Sequence, residues 1–260
     1  MPAHNEALHI VPNIMETIET LRAFEYDFEL IVVNDGSTDE TGRCLAELAL
    51  TFPECLRIVS YDENVGKGNA LICGSQVAEG ELVAFLDADM DLHPMQLPVF
   101  LGIMEALGAD VVIGSKWHPA SKVDYPFMRR AYSRAYYALV RLLFGFPFRD
   151  TQTGIKLFRA NVLRHVLPKI LVKRFAFDLE LLVNVHHLGY SIAEAPITLD
   201  FRRQAGRLKW RDIASIFADT AAVFFRLKIL KYYDRVDGAP AGAIGISDSL
   251  RERMGEDATL

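Results

Sequence analysis

The chain has 260 residues, 51% of them hydrophobic and 24% charged, which suits one large α/β domain with a full core. A net charge of −6 excludes a general nucleic-acid surface. The three cysteines, Cys44, Cys55 and Cys73, show no CxxC spacing and read as small core residues of a reducing compartment.

From the first residue, MPAHNE lacks the basic and apolar regions of a signal peptide. Apolar runs rich in β-branched residues follow at Glu29–Val33, Leu56–Ser60, Leu82–Leu86 and Asp110–Gly114, with helical patterns between them at Ala7–Ala23 and Asp39–Phe52. The alternation predicts an α/β fold with a mostly parallel sheet covered by helices on both faces. Each run ends in turn-forming or acidic residues: NDGSTD, YDENVGKG, DADMD and GSKWHP. Ligands of open α/β sheets collect at the carboxyl ends of the strands, so these turns are the candidate site. Further on, Phe127–Phe144 carries Arg130, Arg134 and Arg141 close to one helical face, beside a stripe of Tyr132, Tyr136, Leu139 and Leu143. A second amphipathic segment, Arg211–Tyr233, has Ile213, Ile216, Phe217, Phe224 and Leu227 in phase. Within it, Ile213–Leu230 is the most apolar stretch, but Asp219, Arg226 and Lys228 interrupt it. It falls short of the roughly 18 to 20 apolar residues of a membrane span. Residues 236–260 mix Gly, Ala, Pro and charges without a period and read as a poorly ordered tail. The expectation is a single domain over residues 1–235, cytoplasmic, either soluble or peripheral at a membrane face.

Asp87, Asp89 and Asp91 follow an apolar strand, and alternating carboxylates on a tight backbone turn toward one side. Three such oxygen donors suit Mg²⁺ or Mn²⁺, which also take water and phosphate oxygens and draw charge from a leaving diphosphate. The plainer reading is an acidic turn leading into a helix begun by His93 and Pro94. Asp35 lies in a second strand-end turn, where a carboxylate can accept hydrogens from a nucleotide base; the plainer reading is a strand-to-helix turn with Asp39 as N-cap. In NVGKGNA, glycines permit close backbone approach and Lys67 adds a point charge, although the P-loop spacing is lacking.

The ordered set PAHNE, VVNDGSTD, NVGKGNA, DADMD and GSK resembles the family 2 glycosyltransferases of GT-A fold over roughly residues 1–235. The segments DTQTGIKLF (150–158) and RFAFDLELL (174–182) are similar to the dolichyl- or polyprenyl-phosphate glucose and mannose synthase branch. The resemblance implies a nucleotide-sugar half over about 1–115 and an acceptor half over about 116–235. It implies that Pro2, Ala3, Glu6 and Asp35 line the donor's base and ribose, with Lys67 beside the nucleotide. Asp87 would face ribose and diphosphate, and Asp89 and Asp91 would hold the metal. Lys116, Arg130, Ser133 and Arg207 or Lys209 would receive an acceptor phosphate. Two departures stand out: His4 replaces the family's usual Tyr, and the apolar strand that the family places before Pro2 is missing here. The second departure predicts uncovered backbone and apolar surface, and suggests a start annotated downstream of the true one.

The activity implied is inverting hexose transfer from a nucleoside diphosphate sugar, UDP-glucose before GDP-mannose, to a polyprenyl phosphate. A phosphate monoester is mostly dianionic at neutral pH, so it needs cations to position it more than a base to activate it. A hydroxyl acceptor needs that base, and Asp178 stands where hydroxyl-using relatives place a catalytic aspartate. Its plainer reading, shared with Glu180, is a carboxylate at a helix start. The lipid tail would rest with Tyr136, Tyr137, Phe144 and Phe146 at the headgroup layer, unless those residues face the core. A membrane-spanning partner is left open. The alternatives are a GT-A glycosyltransferase with a hydroxyl acceptor, a sugar nucleotidyltransferase, and a catalytically silent binding protein at a membrane.

Overall fold

Strands form where β-branched residues run together, and helices where apolar residues recur every three or four positions. The computed structural model describes residues 1–123, 127–173, 176–200 and 210–235, without the side chains at 127–132 and 210–214. The amino-terminal half runs β1 (Pro2–Ala3), α1 (Ile10–Arg22), β2 (Leu30–Asp35), α2 (Thr41–Thr51), β3 (Leu56–Tyr61), α3 (Lys67–Val77), β4 (Leu82–Phe85), α4 (Leu97–Leu107) and β5 (Val111–Ser115). The remainder runs β6 (Lys122–Val123), α5 (Phe127–Phe144), β7 (Lys156–Arg159), α6 (Ala160–Val166), α7 (Phe177–His187), β8 (Ile192–Pro196), β9 (Thr198–Leu199), α8 (Trp210–Phe224) and α9 (Tyr232–Arg235). A π-helical turn, Phe225–Ile229, links the last two.

The strands divide into a parallel sheet β1-β2-β3, a mixed sheet β4-β7-β5-β8 and a short β6-β9 ribbon. The pairing is mostly parallel as expected, with one exception: β7 runs antiparallel between β4 and β5. The reason lies in the connection, because Lys156 starts β7 opposite Ile113, beside the carboxyl end of β5. The chain re-enters the sheet at the end it left.

β1 pairs with β2 only at Pro2↔Val33 and Ala3↔Asn34. Beyond it the two main sheets stand apart, around a cavity of about 730 Å³ walled by Leu30 and Ile31 of β2, residues 82–85 of β4, Leu71 of α3 and Leu97 of α4.

Core residues alternate between the sheet faces with the strand period of two. Val112 and Leu157 join Ile10, Ile14 and Ile18 of α1 and Phe100 of α4 on one side. Val111, Ile113 and Phe158 join Leu179, Leu182 and Val183 of α7 on the other. Cys44, Cys55 and Cys73 are free thiols, and the last two are buried as expected. Among the described residues, no helix is long and apolar enough to cross a membrane.

The amphipathic segment 127–144 is one helix. Phe144 and Phe146 are buried, and Tyr136 packs on the same core with its hydroxyl 3.1 Å from Thr220 Oγ1. Phe144 and Phe146 therefore face the core, the alternative weighed for them, while Tyr136 and Tyr137 are half-buried. In α8, Phe217 is exposed while Thr220 and Val223 are buried, so the expected phase is shifted. Tyr132 and Ile213 lie outside the described side chains, and the tail 236–260 lies outside the described residues.

Candidate active site

The apolar strand LVAF delivers the chain into DADMD at its carboxyl end. Met90 then adopts a left-handed backbone, φ 61°, an uncommon conformation for a non-glycine residue, and its side chain is buried against Thr17, whose hydroxyl lies 3.3 Å from Met90 Sδ. Asn13 Nδ2, one turn earlier on α1, donates to Ala88 O at 2.7 Å. These two inward polar residues fix the acidic turn from below. The Asp91 N–H donates to Asp89 Oδ1 at 3.1 Å, which sets the two acids side by side.

Burial, then the neighbouring charges of Asp87 and Asp91, push the Asp89 carboxyl up to about 6. A carboxylate raised by like charges is short of positive charge, which a divalent ion supplies. Among the described residues, no three His, Cys, Asp or Glu side chains are grouped to hold an ion. The expectation that Asp87, Asp89 and Asp91 meet on one ion is thus corrected: Asp87 is turned to Lys67 instead. The adjacent Asp89 and Asp91 are donors of the kind that suits an ion keeping phosphate and water ligands as well.

Lys67 opens α3 and places Nζ 2.5 Å from Asp87 Oδ1. Burial works against its charge, but Asp87, then Asp178 and Asp89, outweigh it and hold the ammonium well above the ordinary lysine value. Burial likewise raises Asp87, yet Lys67 and then Lys156 bring it below the usual carboxylate range. Close glycine contacts lock this pair. A Cβ on Gly154 would fall 2.0 Å from Asp87 Oδ2, and one on Gly68 would fall 2.5 Å from Phe177 Cγ.

Asp35 is buried, and its carboxylate accepts from the Tyr61 hydroxyl at 2.8 Å, Asn64 Nδ2 at 3.2 Å, Val65 N at 2.9 Å and Gly66 N at 3.0 Å. In this structure Asp35 holds the glycine-rich turn that carries Lys67. Pro2 and Ala3 lie beside Val33 and Asn34, while His4 Nδ1 is 2.8 Å from Asp35 O and Glu6 N donates to Thr41 Oγ1 at 2.8 Å. The expected donor-side residues Pro2, Ala3, Glu6 and Asp35 are thus gathered at one strand end.

Asp178, in the first turn of α7, meets Lys156 Nζ at 2.7 Å in a nearly solvent-free pair, and Lys156 also donates to Thr153 O. Lys116 is paired as well, its Nζ 2.9 Å from Asp150 Oδ2 and its N–H bonded to the same oxygen at 3.0 Å. Burial raises Asp150, but Lys116 and the Thr153 hydroxyl more than reverse this and lower its carboxyl. Ser133 shares a small cleft with Trp117, Arg149, Asp150 and Gln152. The side chain of Arg130, and the whole of Arg207 and Lys209, lie outside the described residues.

Sequence reasoning missed Asn13, Thr17, Asp150, Gly154 and Lys156. A signal existed for two of them: Asn13 and Thr17 lie four apart on the apolar face of α1.

An α/β sheet with acids, a lysine-bearing glycine turn and a buried carboxylate at its strand ends is the arrangement of a GT-A glycosyltransferase. The chain belongs to glycosyl transferase family 2, whose model matches residues 1–167. It is similar to glycosyltransferase AglD of Haloferax volcanii, 32% identical over 199 residues that cover 76% of this chain and 32% of AglD. It is also similar to dolichyl-phosphate beta-glucosyltransferase ALG5C of Trichomonas vaginalis, 29% identical over 250 residues that cover 91% of this chain and 74% of ALG5C. The chain therefore spans about a third of the length of AglD. In fold it resembles glucosyl-3-phosphoglycerate synthase from Mycobacterium tuberculosis, crystallised with Mn²⁺, UDP and phosphoglyceric acid. That likeness has a TM-score of 0.64 at 21% identity, covering 91% of this chain and 78% of the other.

Proposed function

We propose that this glycosyltransferase moves a hexose, with inversion, from a nucleoside diphosphate sugar to a polyprenyl phosphate at a cytoplasmic membrane face. UDP-glucose is the first candidate donor and GDP-mannose the second. The donor half is residues 1–115, and the acceptor half 116–235. Pro2, Ala3, Glu6 and Asp35 line the base and ribose, and Asp87 and Lys67 face the diphosphate. Asp89 and Asp91 hold Mg²⁺ or Mn²⁺, which offsets charge on the leaving diphosphate.

The observation that carries the acceptor class is the Asp178–Lys156 pair. A general base for a hydroxyl needs a carboxylate within reach of the proton, and here one oxygen already binds a buried ammonium. An acceptor that arrives ionised does without that base. Arg130, Ser133, Arg207 and Lys209 position the phosphate, and Lys116 contributes while tied to Asp150. The reading is supported by the relative ALG5C, a dolichyl-phosphate beta-glucosyltransferase. Exposed Leu142, Phe217, Phe225, Ile229 and Leu230, with Lys228 and Lys231 among them, supply apolar and basic contact for a lipid surface. A membrane-spanning partner is compatible with the same surface.

The test is an incubation of purified protein with Mg²⁺, polyprenyl phosphate and radiolabelled UDP- and GDP-sugars. Label from UDP-glucose is expected in the lipid phase, with Asp178→Asn retaining transfer. Transfer only to a hydroxyl acceptor, lost in Asp178→Asn, sends the function to the hydroxyl class.

A further inference from the structure

The Lys67 ammonium sits inside the acidic cluster. Its Nζ contacts Asp87 at 2.5 Å, and the charges of Asp178 and Asp89 act on it too. Close packing fixes Asp87 and the backbone that carries Lys67. Gly68 N, beside Lys67, donates to Lys173 O at 2.9 Å, and the Gly68 Cα lies against the Phe177 ring. Asp87 is backed by the Gly154 Cα. The side chain of Lys67, long and 38% exposed, is the part of the assembly free to move.

We infer that Lys67, paired with Asp87 in the acidic turn, is a built-in counter-cation that a divalent ion arriving at Asp89 and Asp91 must push aside. A lysine ammonium on Asp87 and a divalent ion on Asp89 and Asp91, two and four positions along the same turn, repel each other and draw on one cluster of negative charge. The ion then binds firmly once Lys67 has another anion to meet, and the donor's diphosphate is that anion. Lys67 turns from competitor into ligand, so metal and nucleotide each strengthen the other's binding. This rests on the nucleotide-sugar reading of the site and adds to it an order of events and a coupling.

Mn²⁺ is titrated by calorimetry into wild type, Lys67→Met and Lys67→Arg, with and without UDP. Without UDP, Lys67→Met is expected to bind Mn²⁺ about tenfold more tightly than wild type, and Lys67→Arg to resemble wild type. UDP is expected to tighten Mn²⁺ binding by a larger factor in wild type than in Lys67→Met. Equal or weaker Mn²⁺ binding by folded, UDP-free Lys67→Met overturns the inference, as does an unchanged coupling factor. Should Lys67→Met fail to fold, the Nζ resonance of Lys67 is followed in wild type during Mg²⁺ titration. A shift that grows when UDP is present supports displacement, and a resonance that never moves refutes it. Wild-type hexose transfer is measured separately. If no acceptor is used while Lys67→Met still gains Mn²⁺ affinity, the proposed function fails and the competition stands.

Discussion

Lys156 lies in the strand sequence KLFR, where a period of two assigns it to either sheet face with no hint of burial. In the fold it is fully buried, and Asp178, 22 positions later, provides its counter-charge. Buried pairs are costly to break one-sidedly, because the remaining charge stays desolvated. Lys156→Met is therefore expected to lower unfolding free energy by about 3 kcal/mol in denaturant titration, and Lys156→Met with Asp178→Leu to recover most of it. A double variant no more stable than the single would show that the pair is not what ties β7 to α7. Asp87, Asp89 and Lys67 were legible as one charged cluster, since each follows a strand end, and the fold brings Lys67 onto Asp87. Asp150 and Lys156 were not, because their meaning depends on partners 34 and 22 positions distant. Asp35 was legible as a strand-end acid, but its bonds to Tyr61, Asn64, Val65 and Gly66 are a tertiary fact.

At the scale of elements, periodicity located α5 over Phe127–Phe144 and placed four core strands to within a residue or two. α1 begins at Ile10 rather than Ala7, since Glu6 O accepts from His9 and Ile10 and Asp39 takes the Ala7 N–H in a preceding turn. Facing was harder to read than position. Both amphipathic segments carry apolar residues around more than half their circumference, so which stripe is buried was settled by packing between α5 and α8. The loop between α5 and β7 shows the same dependence at Gly154, whose need for glycine arises from Asp87 in the turn after β4. Gly154→Ala is expected to push Asp87 away from Lys67 and reduce kcat/KM for transfer by about a hundredfold. Gly102→Ala on α4, where an added Cβ meets nothing within 4 Å, serves as the control and is expected to leave transfer unchanged. Similar rates for the two variants would mean that the Asp87 position is not critical.

In the whole molecule, the division of the strands into two sheets leaves β4 paired to β7 alone, while β5 is flanked by β7 and β8. Amides facing the cavity between β2 and β4 lack a ladder partner, so hydrogen exchange is expected to be at least about tenfold faster on average in β4 than in β5. Equal protection of the two strands would show that the cavity is closed in solution. Determined by the sequence itself were the α/β class, the order of the elements, the acidic strand end, the glycine-lysine turn and membership of the glycosyltransferase family. Each of these is a local pattern of hydrophobicity, turn chemistry and charge, complete within about ten residues. Left to the tertiary structure were the antiparallel course of β7, the parting of the sheets, the buried faces of α5 and α8, and the pairing of Lys67, Lys116 and Lys156 with particular acids. Those outcomes turn on which distant surfaces meet and exclude water, and on the charge each buried group finds when they do.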